Sequence, residues 1–387
     1  SFFIIIKIII FKYINEKFLL KLPYFCIINN LMIAKKKKYR VLGVMSGTSI
    51  DGVDFALVEF SLKPWRFKVL KTKTITYPKK WILILSEIHK LGDNEIIKID
   101  KLYSLFLGKL INDFIKENEI KNIDLVSSHG HTARHIPLKG ITYQLGNLSY
   151  LNRFYNLKTV CDFRTQDVDM GGQGAPLVPI GDQILFSEYS ACINLGGFAN
   201  ISREINGERI AYDICSINLI FNYLAQKKSM LYDNNGSLAK SGNIINKLFE
   251  KLNKIEFYNL SYPKSLGVEW CVKEIFPLID ESLKKYKVED VIRTYLDHVV
   301  IKISDCLNEN DKVLITGGGA NNKFFVSSLK NKTKAQIIIP SKNLIEYKEA
   351  VIFGFLGLLK ILNINNCLSS ATGAIKDHCS GKIISAN

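Results

Sequence analysis

Hydrophobic and polar positions along this chain follow two rhythms. Short apolar, largely β-branched runs end in glycine-bearing or polar turns, and longer stretches repeat apolar residues every three or four positions. The first rhythm marks buried strands and the second marks helices. Residues 41–44 and 53–60 are two such runs, joined through Gly47-Thr48-Ser49-Ile50-Asp51-Gly52. Residues 72–77 predict a third strand, and residues 81–90 and 96–118 have helical spacing. Residues 125–128 run as a strand into His129-Gly-His-Thr-Ala-Arg-His135, and residues 158–164 form a strand that ends in Asp162 and Arg164. The Gly/Pro-rich stretch 169–179 reads as a linker between two halves. The opening theme then returns. Residues 191–202 are strand, Gly196-Gly197 turn, strand; residues 210–214 are a short strand carrying Asp213, and residues 219–227 a helix. Residues 312–316 end in Gly317-Gly318-Gly319 before a helix at 323–330, and a long apolar helix at 345–360 opens with Glu346 and Glu349.

Composition changes this picture little. The 387 residues suffice for two domains, and 47% hydrophobic with 23% charged residues is ordinary for a globular protein. The net charge of +16 suggests nucleic acid until it is located. Half of it sits in residues 1–40, and the rest is scattered lysine without a basic helix or arginine cluster. No nucleic-acid partner is expected. Residues 1–11 are strongly apolar, but Lys7 and Lys12 interrupt them and no run long enough to span a membrane follows. No clean signal cleavage site follows either. With the first Met at position 32, residues 1–31 are read as an extension in front of a native start at or near Met32, and residues 1–40 as lying outside the folded domains. Eight dispersed cysteines with no Cys-x-x-Cys pair fit reduced thiols in the cytoplasm, and no zinc spacing is evident.

Candidate chemistry gathers at the turns. Gly47 to Asp54 (Gly47, Thr48, Ser49, Ile50, Asp51, Gly52, Val53, Asp54) offers backbone N–H groups and hydroxyls to a phosphate, with Asp51 and Asp54 placed to orient Mg²⁺ through water. A plain Asp-Gly hairpin would look the same. Three histidines within residues 129–135 favour hydrogen bonds to a polar ligand over a metal, since no carboxylate completes a ligand set there. Asp162 and Arg164 at a strand end suit a ligand crevice or a surface ion pair. Asp213 is too far from the next helix to be its simple N-cap, whereas Glu349 in a first turn would also serve the helix dipole. No Gly-x-x-x-x-Gly-Lys-Ser/Thr motif occurs, and Gly317-x-Gly319 lacks the third glycine of a dinucleotide fingerprint.

Three glycine turns, at 47, 196–197 and 317–319, resemble the sugar kinase, Hsp70 and actin architecture, an α/β, two-domain, ribonuclease H-like fold with a nucleotide and sugar cleft between the domains. A closer resemblance lies in the ordered segments 43–54, Ser-His-Gly-His-Thr at 128–132, Asp-Phe-Arg at 162–164 and Gly-Gly-Gln-Gly-Ala-Pro-Leu-Val-Pro at 171–179. It continues through Asn-Leu-Gly-Gly-Phe-Ala-Asn at 194–200, Pro-Lys-Ser-Leu-Gly-Val-Glu at 263–269, Thr-Gly-Gly-Gly-Ala-Asn-Asn at 316–322 and Lys-Glu-Ala at 348–350. The chain from about 41 to 380 resembles the anhydro-N-acetylmuramic acid kinase family.

That resemblance implies two actin-like domains, 41–167 and 168–387, with the C-terminal segment returning to the first. It implies ATP and Mg²⁺ as cofactors, and an amino sugar, 1,6-anhydro-N-acetylmuramic acid, opened by water and phosphorylated at O6. Homodimerisation is a family-level expectation. Residues 47–54 would form the first phosphate loop and Gly196 and Gly197 the second, with Gly317, Gly318, Gly319 and Asn321 near the adenosine. Asp213 would be the general base, Glu349 a catalytic acid lining the sugar pocket, and His129, Thr132, Arg164 and Asn218 sugar contacts. Three departures stand out. Ile214-Cys215-Ser216-Ile217 replaces a Gly-Pro-Gly-like turn, Thr165-Gln166 replaces an arginine-rich run, and Val268 stands where an arginine often precedes Glu269. These leave open a kinase for a different amino sugar, or a nucleotide-binding regulator without turnover.

Overall fold

The computed structural model describes residues 36–47 and 50–386; residues 1–35, with the start expected near Met32, and Thr48 and Ser49 lie outside the described residues. In the first half the chain forms β1 (Lys38–Ser46), β2 (Gly52–Ser61), β3 (Arg66–Thr76), α1 (Lys79–Glu87), α2 (Asp93–Glu117) and β4 (Leu125–Ser128). The hairpin β5 (His131–Ile136) and β6 (Ile141–Leu145), then β7 (Thr159–Cys161) and α3 (Thr165–Asp169), complete that half. The second half runs α4 (Pro179–Leu185), β8 (Ala191–Leu195), β9 (Phe198–Ile205), β10 (Glu208–Ser216) and α5 (Asn218–Gln226). It continues through α6 (Val288–Ser304), β11 (Lys312–Thr316), α7 (Lys323–Lys332), β12 (Gln336–Ile338), α8 (Lys342–Ile361) and β13 (Lys382–Ile384).

Apart from the two-stranded β5–β6 sheet, the strands form two larger sheets with one plan. The first has the order β13-β7-β4-β1-β2-β3 and the second β10-β9-β8-β11-β12. In each, three strands make an antiparallel meander and two more add in parallel beside the first of them. A meander followed by two parallel additions is the ribonuclease H-like order, and its occurrence twice in one chain makes this the α/β actin-like architecture.

Several boundaries move from their sequence-based positions. β1 begins at Lys38, so the first sheet reaches into the stretch expected to precede it. β3 starts at Arg66 because residues 66–71 alternate basic and apolar side chains along an exposed edge, where lysines discourage pairing with another chain. α8 begins at Lys342, since its solvated first turn carries no apolar rhythm. Glu349 is therefore its eighth residue, and the first-turn dipole role does not apply.

α8 holds the halves together. From Ala350 to Leu359 it is apolar on every side and buried throughout, as an all-round hydrophobic helix requires. Its side chains pack with Val41 and Ala56 of the first sheet and with Cys192 and Leu314 of the second in one core. Separate cores fill the outer faces of each sheet. None of the helices among the described residues is long and apolar enough to cross a membrane.

The approach of α8 to β1 depends on Gly43. A Cβ there would stand 2.0 Å from the Ala350 carbonyl oxygen and 3.1 Å from the Gly354 nitrogen, both backbone atoms. Gly43→Ala should lower the free energy of unfolding by about 1–3 kcal/mol, the usual cost of overpacking a tight core. Urea titration followed by circular dichroism checks this, and an unchanged midpoint would show that α8 is free to shift.

Candidate active site

The first group of predicted residues assembles around the end of β1. Ser46 closes that strand, and its buried Oγ lies 2.6 Å from Tyr77 Oη, 2.9 Å from Tyr103 Oη and 3.2 Å from His131 Nδ1. This network anchors the base of the β1–β2 connection, and burial keeps His131 neutral by pushing its pKa down to about 4. Ile50 takes φ of 56°, a conformation rare for a β-branched residue and the kind of outlier found in functional loops. Thr48 and Ser49, the hydroxyls expected in this loop, lie outside the described residues. β1 and β2 do pair as a hairpin, with Ser46 opposite Val53.

Asp54 sits on β2, where Thr74 of β3 donates to its Oδ1 at 2.5 Å and Thr74 also reaches the Tyr347 hydroxyl on α8 at 3.1 Å. Burial pushes the Asp54 carboxyl up to about 6 against the Thr74 hydrogen bond, and Asp51, Glu349 and Glu346 push it the same way. Four carboxylates thus share one field. Because the folded pKa is raised, ionising Asp54 costs stability; the cost is absent near pH 4 and complete above the folded pKa. Asp54→Asn should stabilise the ligand-free protein by about 1 kcal/mol at neutral pH, a value reduced for partial exposure, and by nothing near the unfolded pKa of about 4. Urea midpoints at the two pH values test it.

His129 and Arg164 meet just beyond the ends of the parallel neighbours β4 and β7. The chain leaves β7 through Asp162 at φ 55°, a left-handed turn that Asp tolerates, and the Asp162 carboxylate accepts the Thr165 hydroxyl at 2.6 Å. Asp162 is thus a turn former and not an ion-pair partner of Arg164. Arg164 donates through Nε at 3.1 Å and Nη2 at 2.8 Å to His129 Nε2, and through Nη1 at 2.5 Å to the Gly174 carbonyl. The other ring nitrogen of His129 donates to Gly130 O at 2.8 Å. Burial first, then the Arg164 charge, push the His129 pKa down to about 3, so its imidazole is a neutral acceptor that aims the guanidinium. Glu349 opens to solvent yet lies among dense protein walls. Desolvation there raises its carboxyl pKa, while Lys348 and Arg164 oppose the rise. Thr132 lies next to this group on β5, paired with Gln144 at a bulge.

The second group lies across α8. The Gly196-Gly197 turn joins β8 to β9, and its carbonyls accept backbone N–H groups from Ile217, Asn218 and Leu219 where α5 begins. The Asn218 side chain donates to Leu195 O at 2.9 Å. Gly317 takes φ of 83°, and a Cβ there would sit 2.5 Å from Asn194 Oδ1 and 2.8 Å from the Leu195 backbone; only glycine lets the two turns nest. Beside the turn at 317–319 opens a cavity of about 610 Å³ lined by Asn218, Phe221, Tyr232, Gly318, Asn321 and Lys342, among others, while Gly196 and Gly197 are not part of its lining. That volume suits a cofactor-sized ligand. Asn218, expected on the sugar side, thus lines the same cavity as Gly318 and Asn321. Sequence reasoning missed the wall at residues 232–235, though Asp-Asn-Asn-Gly at 233–236 is a turn signal. There Asp233 accepts the Leu238 and Ala239 amides.

α8 connects the two groups. Lys342 and Glu346 line the cavity, and Glu349, one turn on, lies within electrostatic reach of Asp54 and Arg164.

Asp213 is held separately. It lies on β10 at a bulge between Asp213 and Cys215, which turns the local side chains. Its Oδ2 accepts the Leu266 N–H at 2.8 Å and its own N–H donates to Lys264 O at 3.1 Å. The 263–269 motif therefore acts as a clamp on this residue. Burial raises the Asp213 carboxyl pKa, and the Leu266 hydrogen bond opposes the shift. The departure at 214–217 has a plain structural outcome: Ile214, Cys215 and Ser216 extend the strand, and no turn forms until Ile217.

The sequence profile of the anhydro-N-acetylmuramic acid kinase family matches residues 39–386. A protein named anhydro-N-acetylmuramic acid kinase from Actinobacillus pleuropneumoniae serotype 3 (strain JL03) is 32% identical over 358 residues, 86% of this chain and 95% of that protein. One of the same name from Sulfurovum sp. (strain NBC37-1) is 32% identical over 357 residues, 87% of this chain and 96% of its own length. Among solved structures, the activator of the 2-hydroxyisocaproyl-CoA dehydratase from Clostridium difficile with bound ADPNP covers 81% of this chain and 92% of its own, at 13% identity and a TM-score of 0.40.

Proposed function

The chain belongs to the anhydro-N-acetylmuramic acid kinase family, and from that membership we propose that it is an ATP-dependent kinase that opens 1,6-anhydro-N-acetylmuramic acid with water and phosphorylates O6, giving N-acetylmuramic acid 6-phosphate and ADP. The observation that carries this reading onto the molecule is α8, whose first turns line the cavity and whose Glu349 lies within electrostatic reach of Asp54 and Arg164.

ATP would place its adenosine in the cavity and its phosphates between the β1–β2 connection and the Gly196-Gly197 turn. Asp51 and Asp54 would orient Mg²⁺ through water, since Mg²⁺ favours carboxylate and water oxygens, and its charge would balance the phosphoryl oxygens. The remaining work falls to side chains. Asp213, with a raised pKa, accepts a proton from the water that attacks the anomeric carbon. The anhydro bridge opens, and O6 takes the γ-phosphoryl group. Arg164 commits three of its five N–H groups to His129 and Gly174, leaving one on each terminal nitrogen for a carboxylate such as the lactyl group. Thr132 and Glu349 would line the same side. A place in peptidoglycan recycling, a cytoplasmic location and a homodimer belong to this proposal; the seven described cysteines are free thiols, consistent with that compartment.

The test is mass spectrometry of the protein with ATP, MgCl₂ and the anhydro sugar, run in oxygen-18 water. One product carrying a phosphoryl group and one heavy oxygen at C1 is expected. ATP binding without product would favour a regulator, and phosphorylation of another amino sugar alone would favour a different substrate.

A further inference from the structure

Outside the cleft, three buried side chains from distant parts of the sequence converge: Asp167 of α3, and Cys367 and His378 of the C-terminal segment. Their ligand-type atoms all lie within 4.8 Å of one another. Asp167 is fully buried, Cys367 is 1% exposed and His378 is 5% exposed. Cys367 and His378 face each other across an antiparallel bridge, closed by Cys367 N–H to His378 O at 3.1 Å and the return bond at 3.2 Å.

The histidine is the telling member. Its Nδ1 lies 3.2 Å from the Lys376 carbonyl, which can only accept, so Nδ1 is the donor and the neutral imidazole presents a lone pair at Nε2. Nε2 has no hydrogen-bond partner and stands 3.5 Å from Asp167 Oδ1. That carboxylate already receives the Thr372 hydroxyl and the Gly174 N–H, each at 2.7 Å. Two acceptors facing each other in a buried place call for a cation between them. On a tetrahedral zinc, a nitrogen and an oxygen ligand at their usual bond lengths stand about 3.4 Å apart, close to the spacing here.

We propose that Asp167, Cys367 and His378 bind a structural Zn²⁺ ion, which fastens the C-terminal segment to the helix just beyond Arg164. Thiolate and imidazole select zinc over Mg²⁺. Binding displaces the Cys367 thiol proton to solvent, so the site forms as a thiolate complex. The link spans residues 167 to 378 and holds Asp167, whose Oδ2 fixes the Gly174 amide, while Gly174 O holds Arg164.

The full chain is stripped with chelator and titrated with Co²⁺, then with Zn²⁺. One equivalent of Co²⁺ should produce a thiolate-to-cobalt charge-transfer band that Zn²⁺ erases and Mg²⁺ does not. Cys367→Ser and His378→Gln should each weaken Zn²⁺ binding more than about 100-fold, beyond the loss typical of outer partners. Cys379→Ser should bind as wild type. No band in the wild-type protein overturns the site. A band that survives Cys367→Ser overturns the assignment. Because the wild-type titration decides first, a variant that fails to fold does not shelter the proposal.

Discussion

Asp213→Asn should lower kcat about 10²–10⁴-fold, the range that a positioned general base supplies, while ATP affinity and the unfolding midpoint stay near those of the wild type. The substitution keeps an oxygen to accept the Leu266 N–H and removes only the ionisable group. Folding is protected by the same logic. Burial raises the Asp213 pKa, so the native protein bears a cost for ionising it at neutral pH, and the amide relieves that cost. The wild-type activity should fall as pH drops through this raised pKa, because only the carboxylate can take the proton. That acid limb lies above the ordinary carboxylate range and should flatten in the variant. ADP release in the presence of the anhydro sugar, measured across pH, reads both effects. Activity within tenfold of wild type would remove Asp213 from the base role.

Lys348→Met should be the most damaging single change to stability, at about 3–5 kcal/mol. Lys348 Nζ lies 2.6 Å from Asp182 Oδ1, with the two side chains 6% and 3% exposed. Burial is the largest single influence and pulls the lysine pKa down, but the charge and hydrogen bond of Asp182, together with Cys192, outweigh it, so the net shift is upward and Lys348 keeps its charge. Removing the lysine strands a carboxylate in the core. Lys348→Met with Asp182→Leu should recover more than half of the loss, since neither charge then remains. Urea denaturation of the single and double variants decides the matter. A double variant as unstable as the single would show that the damage is steric.

Much of this molecule could be read before its structure. The runs at 41–44, 125–128, 191–195 and 312–316 are buried on both sides almost throughout, and their apolar cores, Leu125-Val126, Ala191 to Ile193 and Val313 to Ile315 among them, mark strands. α8 was legible for a similar reason, and the glycine turns because glycine at 317 has a steric cause. Other features left no local trace. The first half of β3 lies on an exposed edge and mixes lysine with apolar residues. The strand through Ile214 and Cys215 obeys β-propensity where the related pattern has glycines. The clamp on Asp213 comes from residues 264–266, and the Asp167, Cys367 and His378 cluster from segments about two hundred residues apart. Contacts of that range are set by topology, which no window of sequence contains.

The route of the last forty residues has a consequence for how the protein can be cut. β13 pairs with β7 at the edge of the first sheet, and α8 fills the space behind β1. Gln173 donates to Thr372 O at 2.7 Å and Ile375 to Met170 O at 3.1 Å, so the same segment lies along the linker. A polypeptide ending at residue 167 would expose the apolar face that α8 covers and an unpaired β7 edge. Severing the backbone at the linker would therefore yield two pieces that fold only on each other, and a native chain nicked there would stay whole.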